Sequence, residues 1–343
     1  MAPVAAEVAS IARACAVEAR DLDALRTRML AAIRRVITVD AAFFAAADPG
    51  TLAFTYARSE APLAASAPQF LANELAAADV NHFRALAVAR QPVATLDDAT
   101  RGRREDSARY REIIAPLRLG DELRVALRAR DVTWGFLCLH REGPTGFSRH
   151  DVDVLRRASA HAATAIRRVI TGALDRGAAG EHAVILVDGD RVAAITQAAR
   201  AWLDELTGTV AEVGAPLPLA LLALVRRVEA LDGDREAPPA HGLLTTRRGT
   251  LLEAHAARLD GASSFAITLA PAGLVARASF RLAACGLTPA QQRVAALVVA
   301  GRSTDAIARA LTIADWTVQD HLKAVFDKVG VRSRRELVAA LQR

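Results

Sequence analysis

Lysine is almost missing from this chain. Of its 44 cationic residues only Lys323 and Lys328 are lysines, and the rest are arginine, a bias that reads as GC-rich codon usage. The absence excludes chemistry. A phosphoacceptor domain that sets a lysine beside its aspartate has none to use before position 323, and a Walker A phosphate loop fails for the same reason. Aromatics make up only 4% of the 343 residues, so buried cores must rest on Ala, Leu, Val and Ile. The three cysteines, Cys15, Cys138 and Cys285, lie far apart without metal-ligand spacing and fit reduced thiols. Long apolar runs are lacking too. The most apolar stretch, Pro216 to Val225, is about half a membrane span, and the N-terminus lacks the charged start and continuous apolar core of a secretory signal. No Gly-x-Ser-x-Gly frame surrounds any serine. The expectation is a soluble, cytoplasmic protein that is not an enzyme.

What is present fills two or three domains. Apolar residues reach 52%, enough for buried cores. The net charge of +6 is concentrated at one end: from Arg281 onward ten Lys/Arg face five Asp/Glu, against 34 and 33 before it. A phosphate-binding segment requires such a bias, and a solvated basic surface also produces it.

Residues 5–37 read as one helix with an apolar stripe at Val8, Ile11, Cys15, Leu22, Leu25, Met29, Ile33 and Val36. Strands over 40–47 and 51–58 flank Asp48-Pro49-Gly50. Helices near 69–78, 80–90 and 106–114 precede strands over 122–129 and 132–140. A long helix begins at Ser148, capped by Asp151, and runs to about Leu174. Its stripe, Val152, Leu155, Ser159, Ala162, Ile166 and Val169, alternates steps of three and four. Two readings stay open: packing on the sheet, or a parallel dimer seam that relays a signal. After a small-residue linker, Gly172 to Gly180, come strands over 183–187 and 191–195 and helices over 196–206 and 217–231. A loop with Pro238-Pro239 then leads to strands near 242–247, 250–259 and 264–270.

The last segment is four short amphipathic helices. Thr288 caps the first, with Pro289 in its first turn and Gln291 as capping-box partner, and Gly301 ends it. Ser303 caps the second. The third starts near Asp315 and places Val318, Leu322, Val325, Phe326 and Val329 on one side. Trp316, Gln319, Asp320, Lys323 and Asp327 fall on the other, and Gly330 stops it. Ser333 to Glu336 reads as a capping box for the fourth, anchored by Leu337 and Leu341. A short connection between the second and third helices suits a helix-turn-helix, whose third helix enters the major groove. Gln319 can pair with adenine, Asp320 can accept from cytosine, and Lys323 can donate to guanine or phosphate. Trp316 joins them on the base-reading face. Thr317, Arg302, Ser303, Arg332 and Arg334 are the candidate phosphate contacts.

Three resemblances follow. Residues 284–343 resemble the LuxR-type (GerE-like) DNA-binding domain through Leu287-Thr-Pro, Ala300-Gly-Arg-Ser, Ile307-Ala-Arg-Ala-Leu, Thr317-Val, His321-Leu, Phe326-Asp-Lys-Val-Gly-Val and Arg332-Ser-Arg. The departures are Thr304-Asp305, Gln319 where a lysine is usual, and Gln291 where an acidic residue is usual. Residues 1–172 resemble a GAF domain, a sensor module, through Gly120-Asp-Glu-Leu-Arg, Trp134-Gly-Phe-Leu-Cys-Leu-His and Phe147-Ser. Residues 181–272 resemble a PAS domain through Val187-Asp-Gly-Asp-Arg-Val and Ala198-Ala-Arg-Ala-Trp-Leu. The fold class implied is multidomain: two α+β modules, GAF-like and PAS-like, then an all-α four-helix LuxR-type helix-turn-helix. An autoinducer-binding domain does not fit, because the first 280 residues hold only Trp134, Trp202, Tyr56 and Tyr110 as its kind of lining.

The resemblance implies a transcriptional regulator. Its expected partners are double-stranded DNA, RNA polymerase, a second copy held through the fourth helix at Leu337 and Leu341, and a small-molecule ligand of unknown identity in a sensor domain. The rival readings are a signalling enzyme and an interaction scaffold whose helices contact protein instead of DNA. His82, His140, His150, His161, His182, His241 and His255 show no paired ligand spacing, so no metal is expected, a haem or metal in the first sensor domain stays open as the alternative, and the cofactor is left unknown. Cys138 reads as a core residue, with redox sensing as the alternative.

Overall fold

The computed structural model describes residues 2–75, 78–129, 131–174, 180–231, 240–247, 250–259 and 264–342. Most of the expected linker (175–179) and the Pro238-Pro239 loop lie outside the described residues. Two compact units form, one of residues up to Ala129 and from Thr133 to Pro271, the other holding everything from Ala272 onward.

The first unit opens with two helices where the stripe suggested one: α1 (Ala2–Ala16) and α2 (Leu22–Arg34). The break is a capping event. Asp21 adopts an extended backbone and its carboxylate accepts from the Ala24 N–H at 2.7 Å, which starts α2 afresh. Next come β1 (Ala41–Ala47), β2 (Phe54–Ser59), α3 (Ala67–Leu75), α4 (Phe83–Val88), β3 (Val93–Thr95) and α5 (Leu96–Thr100). β4 (Leu119–Ala129), β5 (Val132–Glu142) and α6 (Arg149–Leu174) complete the layer. The sheet is ordered β2-β1-β5-β4-β3, with β1 antiparallel to both β2 and β5. Every residue of β1 is buried, as expected of a strand covered on both faces. Helices α1, α2 and α6 cover one face, where Ile11, Met29, Ile33, Leu137 and Leu155 meet. On the other, Phe43, Phe83 and Phe136 pack together. Gly135 has no alternative: a Cβ there would strike the Ala45 carbonyl of the paired strand.

The long helix settles the two readings of its stripe. Leu155, Ser159, Ala162 and Ile166 are buried in their own domain, and the Ser159 hydroxyl donates to the Ala126 carbonyl of β4 at 3.2 Å. These side chains pack on the sheet and are not free to form a dimer seam.

A second antiparallel sheet follows, from β6 (Ala183–Asp188), β7 (Arg191–Ile195), β8 (His241–Thr245), β9 (Leu251–Arg258) and β10 (Ser264–Pro271), with α7 (Gln197–Thr207) and α8 (Leu219–Leu231) between β7 and β8. Its order, β7-β6-β10-β9-β8, repeats the first sheet's arrangement of second, first, fifth, fourth and third strands. Thr196 caps α7 through the Ala199 N–H at 3.3 Å. The two layers share material. Leu71 of α3 lies in the second core with Trp202, Leu221 and Val225, and Arg58 of β2 donates to the Leu206 carbonyl at 2.6 Å.

The second unit is all helix: α9 (Leu274–Ala284), α10 (Pro289–Val299), α11 (Thr304–Leu311), α12 (Asp315–Val329) and α13 (Arg334–Gln342). Leu282, Val294, Val298, Ile307, Val318, Leu322, Val325, Leu337 and Leu341 close a core drawn wholly from this unit. Among the described residues no helix is long and apolar enough to cross a membrane.

Candidate nucleic-acid interface

Local signals place each helix of the second unit. Thr288 and Gln291 form the reciprocal capping box of α10, with Pro289 in the first turn. Ser303 caps α11 through the Ala306 N–H at 3.2 Å. Thr312 takes a left-handed conformation and ends α11, so only residues 312–314 separate it from α12. Ala314 stands at the N-cap of α12 and supplies no side-chain cap, so among the described residues the first N–H groups of that helix have no capping side chain. Gly330, with φ 78°, stops it. At α13 the expected box is modified. Ser333 accepts from the Glu336 N–H at 3.1 Å, but Glu336 reaches back one residue further, to the Arg332 N–H at 2.8 Å.

Helix α12 therefore has one settled orientation. Val318, Leu322 and Val325 are buried, and Phe326 and Val329 pack beside them. Trp316, Gln319, Asp320 and Lys323 recur at i, i+3, i+4 and i+7 and are exposed, Trp316 by 70%. An indole that is left so open on a charged helix is unusual for a residue that gains from burial. Among the described residues the Lys323 ammonium makes no hydrogen bond or ion pair. Arg302, Ser303 and Arg332 are exposed, while Thr317 and Arg334 are half-buried.

The structure gathers several of these residues around Thr304. Its hydroxyl accepts from the Gln319 amide at 3.3 Å and from the Arg334 guanidinium at 2.8 Å. Arg334 also donates to the Arg302 carbonyl at 3.0 Å. Leu337 and Leu341 require a correction. They are 0% and 3% exposed and face the core of their own unit, so neither side chain can touch a second copy. Net charge reinforces the surface. Residues 272–343 hold eleven Lys/Arg and five Asp/Glu, leaving 33 of each in residues 1–271, so the whole +6 belongs to this unit.

A second polar assembly lies inside the first sheet and has no counterpart in the expected site residues. Glu122 on β4 is 1% exposed and takes three bonds from Arg109, at 2.7, 2.9 and 3.2 Å, while Arg124 Nε lies 3.0 Å away. Arg124 bonds Glu74, and Asp79 lies 3.8 Å from Arg109. Cys138 Sγ donates to Glu122 Oε1 at 3.1 Å, and His140 Nε2 is 3.1 Å from the same sulfur. Burial alone would raise the Glu122 carboxyl, but the charges of Arg109 and Arg124 outweigh it and hold it well below the usual carboxylate range. Burial, then the Glu122 charge, push the Cys138 thiol well above its ordinary value. Burial lowers His140 to about 4 against the pull of Glu122, so the ring is neutral at pH 7. Beside this assembly the protein's own rings pack on one another, and Phe83 and Phe136 also border a cavity shared with Phe54, Leu71 and Glu74. Phe83 stacks on Phe136 at 4.7 Å and on Phe43 at 5.8 Å, and Arg124 lies over Phe83 at 4.5 Å. The sequence signal for the assembly was the Cys-x-His alternation in β5, which puts both side chains on one face of the strand.

Residues 286–341 match the family model of bacterial regulatory proteins, luxR family. Residues 21–166 match that of the GAF domain. The chain thus carries a segment similar to luxR-family regulatory proteins after one similar to the GAF domain. No curated protein matches it.

Proposed function

We propose that this chain is a sequence-specific regulator of transcription that binds double-stranded DNA, with N-terminal sensor domains that gate its C-terminal helix-turn-helix. One observation carries the reading. Helix α12 buries Val318, Leu322 and Val325 and turns Trp316, Gln319, Asp320 and Lys323 outward as a single stripe, in the unit that holds all the net positive charge.

In this reading α12 lies in the major groove. Gln319 pairs with adenine, Asp320 accepts from cytosine, Lys323 donates to guanine and Trp316 packs on a thymine methyl. Arg302, Ser303, Thr317 and Arg332 hold phosphates, helped by the uncapped start of α12. Residues 1–172 act as a GAF sensor, 181–272 as a PAS-like module and 284–343 as the DNA-binding domain. The repeated strand order of the two sheets supports the PAS-like assignment. The regulator works as a homodimer that engages RNA polymerase, and an effector acts by shifting the population of its DNA-competent form. Because the stripe of α6 is buried, the relay runs through other surfaces of the sensor unit.

Selection of bound duplexes from a random pool, followed by anisotropy titration, tests the reading. The full chain should hold its selected site at about 10⁻⁸–10⁻¹¹ M and lose affinity steeply with salt. No binding to any duplex at low salt would sink it and leave helices that contact protein. The gating is checked against residues 272–343 alone, which carry their own core. Equal affinity and equal mass per complex for fragment and full chain, with no small molecule altering either, would remove the sensor's control.

A further inference from the structure

We propose that Glu122, Cys138 and His140 form a binding site for one divalent first-row transition-metal ion, most simply zinc, in the interior of the GAF domain. The proposal is independent of the DNA-binding reading.

Geometry comes first. Cys138 Sγ lies 3.1 Å from Glu122 Oε1 and 3.1 Å from His140 Nε2, and the latter two atoms are 3.8 Å apart. An ion about 2.3 Å from sulfur and about 2.1 Å from nitrogen and oxygen sits over a triangle of that size. All three side chains are buried, and they are the one group of three or more candidate ligands gathered this tightly among the described residues. Cys138 and His140 project from the same face of β5, so their spacing is set by the strand.

Donor chemistry selects the class of ion. A thiolate with an imidazole and a carboxylate suits zinc or a neighbouring transition metal, whereas magnesium and calcium favour all-oxygen sets. The supporting shell is already built. Arg109 and Arg124 grip Glu122 mainly through Oε2, which leaves Oε1 turned to the sulfur. Arg109 is held in turn by the Asn73 side-chain oxygen at 3.0 Å and the Val80 carbonyl at 3.1 Å. Such second contacts orient a ligand.

Charge balance points the same way. The buried assembly contains two guanidinium groups, Arg109 and Arg124, and three carboxylates, Glu74, Asp79 and Glu122. The carboxylates outnumber the guanidinium groups by one, so the fixed charges around the three candidate ligands favour a cation. His140 Nδ1 has no hydrogen-bond partner among the described residues, so the ring can carry its proton there and offer the Nε2 lone pair to the ion.

The test uses the full chain, refolded from denaturant with cobalt(II) or zinc(II), because a buried site loads most readily as the domain closes. Mass spectrometry of the dialysed protein should find one metal per chain. The cobalt form should show a sulfur-to-metal charge-transfer band. Cys138→Ser and His140→Gln should each lose the band and the bound equivalent, whereas Cys15→Ser and Cys285→Ser keep both. Should a site variant fail to fold, the wild-type chain still decides: bound zinc should slow alkylation of Cys138 and leave Cys285 unaffected. Metal-free protein after refolding with either ion would overturn the proposal. So would full retention of the metal by folded Cys138→Ser, or alkylation of Cys138 at the same rate with and without zinc.

Discussion

Arg334 donates to the Thr304 hydroxyl at 2.8 Å, and so ties the start of α13 to the start of α11. Its other amino group bonds the Arg302 carbonyl at 3.0 Å. An arginine expected to hold phosphate thus braces the turn that presents Arg302 and Ser303.

The brace and the phosphate contact are separable. Arg334→Ala should destabilise the C-terminal unit by about 1 kcal/mol, since the hydrogen bonds involve a charged but half-exposed group. It should weaken DNA binding with little change in salt dependence. Arg302→Ala should leave the fold intact and reduce the salt slope by about one. Anisotropy titrations at several salt concentrations distinguish them, and an equal loss of slope in both variants would return Arg334 to the phosphate contacts.

Lys323 and Gln319 differ in a second way. Lys323 has no partner among the described residues, so Lys323→Ala removes only what it gives to DNA and should weaken operator binding with unchanged thermal stability. Gln319 is held by Thr304 at 3.3 Å and is already oriented. Gln319→Ala should therefore relax preference at one base pair, by about 1–3 kcal/mol of discrimination. Site selection repeated with each variant measures this, and identical logos for wild type and Gln319→Ala would contradict the docking.

The C-terminal helices were legible because their signals are local. The Thr288–Gln291 box, the Ser303 cap and the Gly330 stop each lie within four residues of what they control. The second sheet was legible in outline for a similar reason, with turns such as Asp188-Gly189-Asp190 between alternating strands. Distance in sequence hid the rest. Arg109 meets Glu122 across 13 residues and Arg124 meets Glu74 across 50, and nothing local announces either pair. The stripe of α6 was ambiguous because a helix packed on a sheet and a helix in a dimer bury the same positions. In the 5–37 segment the apolar positions stay in phase across the break, so only the Asp21 cap betrays it. Leu337 and Leu341 were assigned to a partner because the LuxR-type resemblance implies pairing through the fourth helix, although the stripe itself reads them as anchors of that helix.

That last point gives a stability prediction. Leu337 is fully buried, so Leu337→Ala should destabilise the C-terminal unit by about 2–5 kcal/mol through lost burial and the remaining cavity. A dimer made through α13 would instead use its exposed Arg335 and Ala339. Sedimentation of Ala339→Arg should then show loss of dimer at unchanged melting temperature, and loss of dimer in folded Leu337→Ala alone would restore the first assignment.

Thiol reactivity should follow exposure. Burial pushes the Cys15 thiol up to about 11, against the lowering effect of Arg28 and Arg168. Cys138 is also buried, while Cys285 is half-exposed. Only the thiolate attacks an alkylating reagent. Brief iodoacetamide treatment of the native chain at pH 8 should therefore label Cys285 first, and peptide mapping that found Cys15 labelled as fast would show α1 to be open in solution.

Tyr56 gives the stability a measurable pH dependence. Its hydroxyl donates to Asp23 of α2, whose carboxylate also lies 3.6 Å from Arg58 and 3.6 Å from Arg247. The contact therefore joins α2 and β2 to the loop after β8. Burial raises the tyrosine's pKa most, and the bond to Asp23 adds to the rise while Arg58 opposes it. The sign follows from linkage. In the unfolded chain a tyrosine ionises near about 10. Below that pH both states keep the proton and the contribution is intact. Above it the unfolded chain has released a proton that the folded chain retains, so stability falls as pH climbs toward the folded value. Tyr56→Phe should lose about 1 kcal/mol at neutral pH and should decline less steeply than wild type above pH ~10. Urea unfolding monitored at both pH values provides the comparison. Parallel declines for the two proteins would mean that Tyr56 ionises in the folded state as readily as in the unfolded one.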